Sequence, residues 1–554
     1  MNRTTYATIM FGLEDVSATE DGEFSSTDYQ PFSLFNQLVN DSNNLTPLQT
    51  NEPNMTILDG TTIVLNNEAS QQIGYWSKSM SDENGQFAEN PRLSRTFEKY
   101  HSTPSIIFYF YGYNRPKQIR IKYYRDNQVV TDATFDVTSS TFLARKSAKD
   151  YNKFEIEFIG TYAPYSYIKL AEIFYGEYLI WDRENIIEAR TVEEFNLISD
   201  ELPIGELEFS IFDEDDDFNI LNPGGMYTSL QQKQKILVTE TINNVEYEYG
   251  TYYLDTWENT QGKIANFVAK DCLSLIDDVT FTNSSMYKDV TVSRIIGDIM
   301  EQANFGNYEI QPSLATETLS GYIPICTCRE ALQYVCMASG SCAFCDRTGT
   351  LQIRKMPLLT EVLDMTKARK WDTKVTQNDV VNSVTVTGYS FDVSNEVSEL
   401  YKETLQAGTY EVQLSEPALN FSISENAVIN SSNVNFVNFT VNTAGETIIN
   451  GNKYIANSNV STVEADNVSR KKQVELKDVY LIDFDRASTI CQNIYNYYQR
   501  RLIETFTFIN NMERLGENVK IELELDQIRN GTITRMETDL TGGFLTEATV
   551  VNEV

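Results

Sequence analysis

The sequence predicts a mainly β, multidomain protein with a few packed helices, α+β overall. Three observations carry this. The 554 residues include 32 Tyr and 29 Phe and are 41% hydrophobic, a composition that suits pleated, half-buried surfaces. Apolar and polar residues alternate at period two through much of the chain, whereas a 3.6-residue period is marked in three segments. One core cannot serve a chain of this length; at about 100 to 200 residues per domain, three or four domains are expected.

Residues 1–185 read as a β-sandwich module. In SIIFYF, Ile106, Phe108 and Phe110 alternate with Ile107, Tyr109 and Tyr111, which predicts a strand buried on both faces. Its neighbours are half-buried: Ile119, Ile121 and Tyr123 alternate with Arg120, Lys122 and Tyr124, and Phe154, Ile156 and Phe158 with Glu155 and Glu157. Residues 186–290 add strands around the acidic FDEDDDF and a turn at Asn222-Pro223-Gly224-Gly225. Residues 291–394 carry two helices. Val292, Ile295, Ile296, Ile299, Met300 and Ala303 fall on one face behind Thr291, and Thr327 with Glu330 forms a T-x-x-E capping box for a helix that Gly340 ends. Cys342 to Cys345, the turn Asp346 to Gly349 and Leu351 to Ile353 then make a hairpin.

Residues 395–475 are rich in Ser, Asn, Thr and Val without helical period and read as an inserted β domain, with a hairpin turn expected at Asn450-Gly451. Residues 476–554 open with a helix from Phe484 to Arg500 whose stripe is Phe484, Ala487, Ile490, Cys491, Ile494 and Tyr498. Val519, Ile521, Leu523 and Leu525 alternate with Lys520, Glu522, Glu524 and Asp526, and a turn at Asn530-Gly531 leads into an antiparallel meander.

The net charge of −35, from 44 basic and 79 acidic residues, argues against sequence-specific nucleic-acid binding, which rests on Lys and Arg neutralising phosphates. A negative wall would instead let DNA slide past without sticking, and a solubilising surface is the plainer alternative. No apolar run reaches the 18 or so residues of a membrane span, and no signal peptide is evident, so synthesis and folding in a cytoplasm are expected. Seven cysteines in such a chain predict no disulfide framework.

The run Cys326, Cys328, Cys336, Cys342, Cys345 invites a zinc site, but Cys342 and Cys345 sit in a predicted strand, not in the tight turn a C-x2-C knuckle needs. Asp213, Asp215, Asp217 and Asn219 have the alternating oxygens of a calcium loop, yet Phe218 and Gly224 stand where Gly and Glu are required. The one histidine, His101, next to Ser102-Thr103-Pro104, reads as a loop or edge residue and leaves no multi-His metal site. No metal, cofactor or catalytic residues are assigned. Trp76, Tyr100, Tyr113 and Tyr165 lie near turns, where sugar-stacking rings sit in lectin-like sandwiches; core or subunit-interface packing is the competing reading.

Several phrases resemble one family. GYIPICTCREALQYVCMASGSCAFCDRTGTLQI resembles the helix and hairpin of phage tail-tip and baseplate hub proteins. NPGGMYTSLQQKQKILVTE with GTYYLDTWENTQGKIANFVAKDCLSLID resembles their first barrel and the helix after it, and GTITRMETDLTGGFLTEATV their closing barrel. Residues 74–181 are similar to a β-sandwich at the front of prophage tail proteins, and TYAPYSYIKLAEIFYG to galactose-binding-like domains. The resemblance implies two small tube-type β-barrels per subunit and a homotrimeric ring that continues the tail tube around the DNA channel, in a virion assembled in the host cytoplasm. It implies the tail tube or a distal tail protein, and spike, fibre or lytic components, as partners. Because the barrel phrase lies just before Val554, wall cleavage or a spike is expected from other proteins. A structural hub is the first expectation, host-glycan binding by the sandwich the second, and a tail-associated wall hydrolase the third.

Overall fold

The structure, a computed structural model, describes residues 4–14, 16–39, 48–49, 63–64, 73–103, 105–111, 114–144, 146, 148–214, 216–219, 221–222, 230, 232–243, 245–260, 263–355, 362–377, 380–465, 472–511, 513–522 and 527–552. It divides into two compact units, one of residues 10–180 with 226–234 and one of residues 1–9, 181–225 and 235–554.

The first unit holds β1 (Glu23–Ser25), β2 (Tyr75–Trp76), β3 (Arg92–Thr103), β4 (Ile106–Phe110), β5 (Pro116–Arg125), β6 (Gln128–Asp136), β7 (Thr141–Ala144), β8 (Ala148–Thr161) and β9 (Lys169–Trp181). One sheet runs β1-β3-β8-β5-β6; β7, β4 and β9 pair in a second, with β2 on β9. Alternation decides which side chains meet between them: Ile119, Ile121, Phe154, Ile156 and Phe158 are fully buried in a cluster with Phe108, Phe110 and Tyr175. The β4 strand buries Ile106, Ile107 and Phe108, as its two-sided apolar pattern requires.

The second unit starts with β10 (Ile186–Glu194), β11 (Glu206–Phe212), β12 (Lys235–Ile242), β13 (Val245–Thr260) and β14 (Ile264–Lys270). These pair in the order β12-β13-β14-β11-β10. Next come α1 (Leu273–Asp277), α2 (Val292–Gln302), α3 (Cys328–Ser339), the hairpin β15 (Ser341–Cys345) and β16 (Leu351–Lys355), and the short β17 (Val362–Asp364) and β18 (Lys370–Gln377). Thr327 and Glu330 close the capping box on α3 at both ends, and Gly340 ends the helix in the left-handed region at φ 66°. A ribbon of β19 (Ser383–Leu405) and β20 (Gly445–Glu464) carries the inserted strands, after which α4 (Phe484–Gln499) packs Ile490 and Cys491 with Ile299, Leu332 and Val335 in one core. The chain closes with β21 (Leu502–Ile509), β22 (Asn518–Glu522), β23 (Ile528–Asp539) and β24 (Leu545–Asn552).

The two expected barrels are not closed among the described residues. The first sheet continues from β10 into β23, with Arg190 opposite Asp539 and Glu194 opposite Arg535, and runs on through β24 and β21 to β18. Closing either half would need β10 or β18 to pair back within its own half, and β10 spends that edge on β23.

Neither Asn-Gly step is a turn. Asn450-Gly451 lies inside β20 and Asn530-Gly531 inside β23. Glycine is there for space: a Cβ on Gly451 would stand 2.9 Å from both Leu400 Cδ1 and Leu419 O, and one on Gly531 would stand 2.5 Å from Val550 Cγ1. His101 is a buried residue of β3, not a loop residue, with Nε2 2.8 Å from Asp21 Oδ2. Phe484 is 39% exposed at the start of α4, off the buried stripe. Cys272 and Cys345 form a disulfide, contrary to expectation, because α1 brings Cys272 alongside the end of β15 at a Cα separation of 6.0 Å.

Candidate functional site

A concave surface lies over the join of the two sheet halves. It encloses about 810 Å³ and is carried by β10, β11, β13, β14, β23, β24 and β21. Glu188, Glu208, Glu258, Glu537, Asp539 and Glu547 line it against one guanidinium, that of Arg190. Period-two alternation places them there. In ELEFSIF, Leu207, Phe209 and Ile211 are buried, so Glu206 and Glu208 face the other way; in TRMETD, Met536 and Thr538 are buried, so Arg535, Glu537 and Asp539 do.

Arg190 is held across three strands. Nη2 donates to Glu208 Oε2 and Nη1 to Glu537 Oε1, each at 2.7 Å, and Arg535 Nη2 donates to Glu537 Oε2 at 2.7 Å. The Arg190 bond holds the Glu208 carboxyl below its ordinary value, and the Arg535 bond, with that from Arg190, does the same for Glu537. Burial, with Glu208 beside it, pushes Glu206 up. Asp539 accepts the Thr541 backbone N–H at 2.8 Å and its hydroxyl at 2.6 Å, and Glu258 accepts from Asn266 Nδ2 at 3.2 Å. The one lining cation thus has its donors taken by carboxylates, and the face stays negative.

Behind the same sheet lies a buried ionic network. Arg347, with a side chain 4% exposed, donates to Glu193 Oε2 at 3.3 Å and to the Glu513 carbonyl at 3.2 Å, stands 3.9 Å from Glu240, and sets its guanidinium 4.3 Å from the Tyr249 ring centre. Asp271 accepts backbone N–H bonds from Gly205 at 2.7 Å and Leu273 at 2.9 Å, yet burial pushes its carboxyl up to about 7.

The three aromatic candidates among the described residues differ in their surroundings. Trp76 is 3% exposed, packed edge-on against Phe32 at 5.2 Å with the Lys169 ammonium 4.4 Å from its ring centre, so it is a packing residue and not a surface platform. Tyr100 is 52% exposed and donates to Asp126 Oδ1 at 2.8 Å, with Arg125 over its ring. Tyr165 is 41% exposed at φ 53°. Tyr113 lies outside the described residues, as does Asp215 of the acidic run. In that run Asp213 turns inward and accepts the backbone N–H groups of Asp217 and Phe218 at 2.8 and 3.0 Å, which is loop bracing. Among the described residues no cluster of three or more His, Cys, Asp or Glu could hold a metal, and no helix is long and apolar enough to cross a membrane. The acidic face was missed in the sequence because its residues come from segments some 350 positions apart. Its only local signal is the charged alternate positions of 186–194, 206–212 and 535–539.

No protein-family model and no curated protein matches the chain. Among solved structures it is similar to a tail protein from Neisseria meningitidis MC58, at 9% identity over 68% of this chain and 94% of that one, with TM-score 0.42. It is also similar to the 43 kDa tail protein of prophage MuSo2 from Shewanella oneidensis, at 10% identity over 66% of this chain and 93% of that one, with TM-score 0.38. A family 32 carbohydrate-binding module from C. perfringens NanJ, solved with galactose, is matched at 11% identity over 30% of this chain and 99% of the module, with TM-score 0.19.

Proposed function

We propose that this chain is a structural hub of a phage tail tip or baseplate: a homotrimeric ring that continues the tail tube around the DNA channel and carries tail-tip components. The observation that supports it most is the unbroken sheet through β10 and β23 with its acidic concave face. Two sheet halves per subunit would give a trimer six positions, the symmetry the sequence resemblance implies. A face whose carboxylates outnumber its one engaged guanidinium offers DNA phosphates nothing to grip. The hub meets the tail tube or distal tail protein on one side and spike, fibre or lytic components on the other, works without a cofactor, and catalyses no step. Mass in solution and negative-stain imaging test this. A trimeric ring with a central hole supports it, and a monomer at every concentration removes the ring.

A second reading, host-glycan binding by the sandwich, is favoured by the exposure of Tyr100 and Tyr165. Glycan-array binding by the full chain that falls with Tyr100→Ala or Tyr165→Ala supports it, and no binding removes it. The hydrolase reading gains no observation; clearing of a cell-wall zymogram by the purified chain is the result that would restore it.

A further inference from the structure

The cysteines fall into two groups. Cys326, Cys328, Cys336, Cys342 and Cys491 are free. Burial pushes their thiols up, to about 12 for Cys326 and Cys336 and about 11 for Cys328, and in the same direction for Cys342 and Cys491. So little thiolate leaves them inert toward exchange. Cys272 and Cys345 are joined across 73 positions of sequence, and the two residues differ in burial. Cys272 is fully buried beside α1. Cys345, half-buried at the end of β15, lines a cavity of about 220 Å³ that also takes in Arg347, Arg354 and Arg514.

Three guanidiniums around one disulfide stand out in a chain with 79 acidic and 44 basic residues. The carboxylates of the same cavity have partners: Glu193 meets Arg347 at 3.3 Å, Asp346 accepts the Thr348 and Thr350 N–H groups at 2.9 and 3.0 Å, and Glu517 accepts the Arg514 N–H at 3.0 Å. Arg354 donates to a neutral amide oxygen, Gln352 Oε1, at 2.9 and 2.6 Å, and stands 3.9 Å from the largely exposed Glu309. A small anion entering the cavity therefore meets Arg354 and Arg514 beside Cys345.

We propose that Cys345 is a site of thiol–disulfide exchange for a small thiol bearing carboxylates, of the glutathione class. The incoming thiolate bonds to Cys345 Sγ as the Cys345–Cys272 bond breaks, and the Cys272 sulfur leaves with the bonding pair and takes a proton from water. The step needs no external oxidant, since one disulfide replaces another. A second thiol can then attack the bound thiol's own sulfur, releasing the small disulfide and Cys345 as a thiol. The exchange cuts the covalent tie between α1 and the β15–β16 hairpin.

The full chain, treated at one pH and equal thiolate concentration with glutathione or with the cationic thiol cysteamine, then acid-quenched and mapped by peptide mass, tests this. The expected result is one mixed disulfide, at Cys345, formed faster by glutathione although a net charge of −35 favours the cationic reagent. The double variant Arg354→Gln, Arg514→Gln, with an unchanged circular dichroism spectrum, should reverse that order. An adduct on another cysteine or none at all, cysteamine the faster reagent on the native chain, an unchanged order in the double variant, or seven alkylatable thiols in the untreated chain each overturns the proposal.

Discussion

Asp271→Asn tests the buried carboxyl beside the ionic network. Burial raises Asp271 from 3.8 to about 7 against the opposing pull of the Gly205 and Leu273 N–H bonds. A rise of that size amounts to about 4 kcal/mol. Because the folded value lies above the unfolded one, the native state holds the proton longer. Ionisation costs nothing below about pH 4, takes away stability as pH rises toward 7, and takes the full amount above it. Asparagine does not titrate. Its amide oxygen can accept one of the two backbone N–H groups while its NH2 faces the other, a fixed loss of about 1 to 3 kcal/mol. Urea unfolding followed by tryptophan fluorescence from pH 5 to 8 should show wild-type stability falling relative to the variant by about 3 kcal/mol. The two should lie close together at pH 5, with the variant ahead at pH 8. A difference between them that stays flat with pH refutes the reasoning.

Thr327→Ala removes the side-chain half of the α3 capping box and should cost about 1 kcal/mol, read as a lower urea midpoint at constant m. Gly321 has φ +125°, and a Cβ there would run into the Tyr480 carbonyl, so Gly321→Ala should abolish soluble expression while Gly297→Ala, with open space around it, should not. Trp76→Ala should destabilise the sandwich by about 3 to 5 kcal/mol, as loss of a buried aromatic does, a cost that a surface sugar platform would not show in thermal unfolding. Arg190→Gln takes the ion pair from Glu208 and one of two from Glu537, which keeps Arg535, and because Arg190 is 47% exposed the loss should stay under about 1 kcal/mol and shrink further in high salt.

What was legible in the sequence is what short-range physics decides. The α3 helix carries its start in Thr327 and Glu330 and its stop in Gly340, all within one stretch, and the structure uses each of them. Alternation around Ile119 and Phe154 named the buried faces correctly, since a pleated strand leaves no third choice. Asn-Gly failed as a turn signal because the same small residue also answers a need for close cross-strand approach, and only the partner strand, with Val550 or Leu400, tells the two apart. Trp76 failed as an exposed ring for a like reason: the Phe32 and Lys169 that cover it lie far away in sequence. The Cys272–Cys345 bridge depended on where α1 meets β15, which no spacing rule encodes.

The same non-locality bears on the acidic face. Read singly, Glu188, Glu208 and Glu537 are solvated charges on exposed strand positions, which is how the sequence's acid surplus is most plainly explained. Pairing of β10 with β23 changes their meaning, because it sets residues 190 and 537 side by side on one concave surface. Like charges gathered on a curved face repel one another, and Arg190 offsets part of that by bridging Glu208 and Glu537. This bridging also occupies the one lining cation that would otherwise contact phosphate. If the face is the wall of a DNA channel, as proposed, an engaged Arg190 also keeps that wall from gripping phosphates. On the proposed reading, then, Arg190→Gln and Glu208→Gln should act differently. The first leaves the wall more negative and DNA retention by the assembled ring unchanged, and the second replaces a carboxylate partner of Arg190 by a neutral amide and raises retention at low salt. Equal retention by both variants and the wild type would reduce the face to a solvated surface.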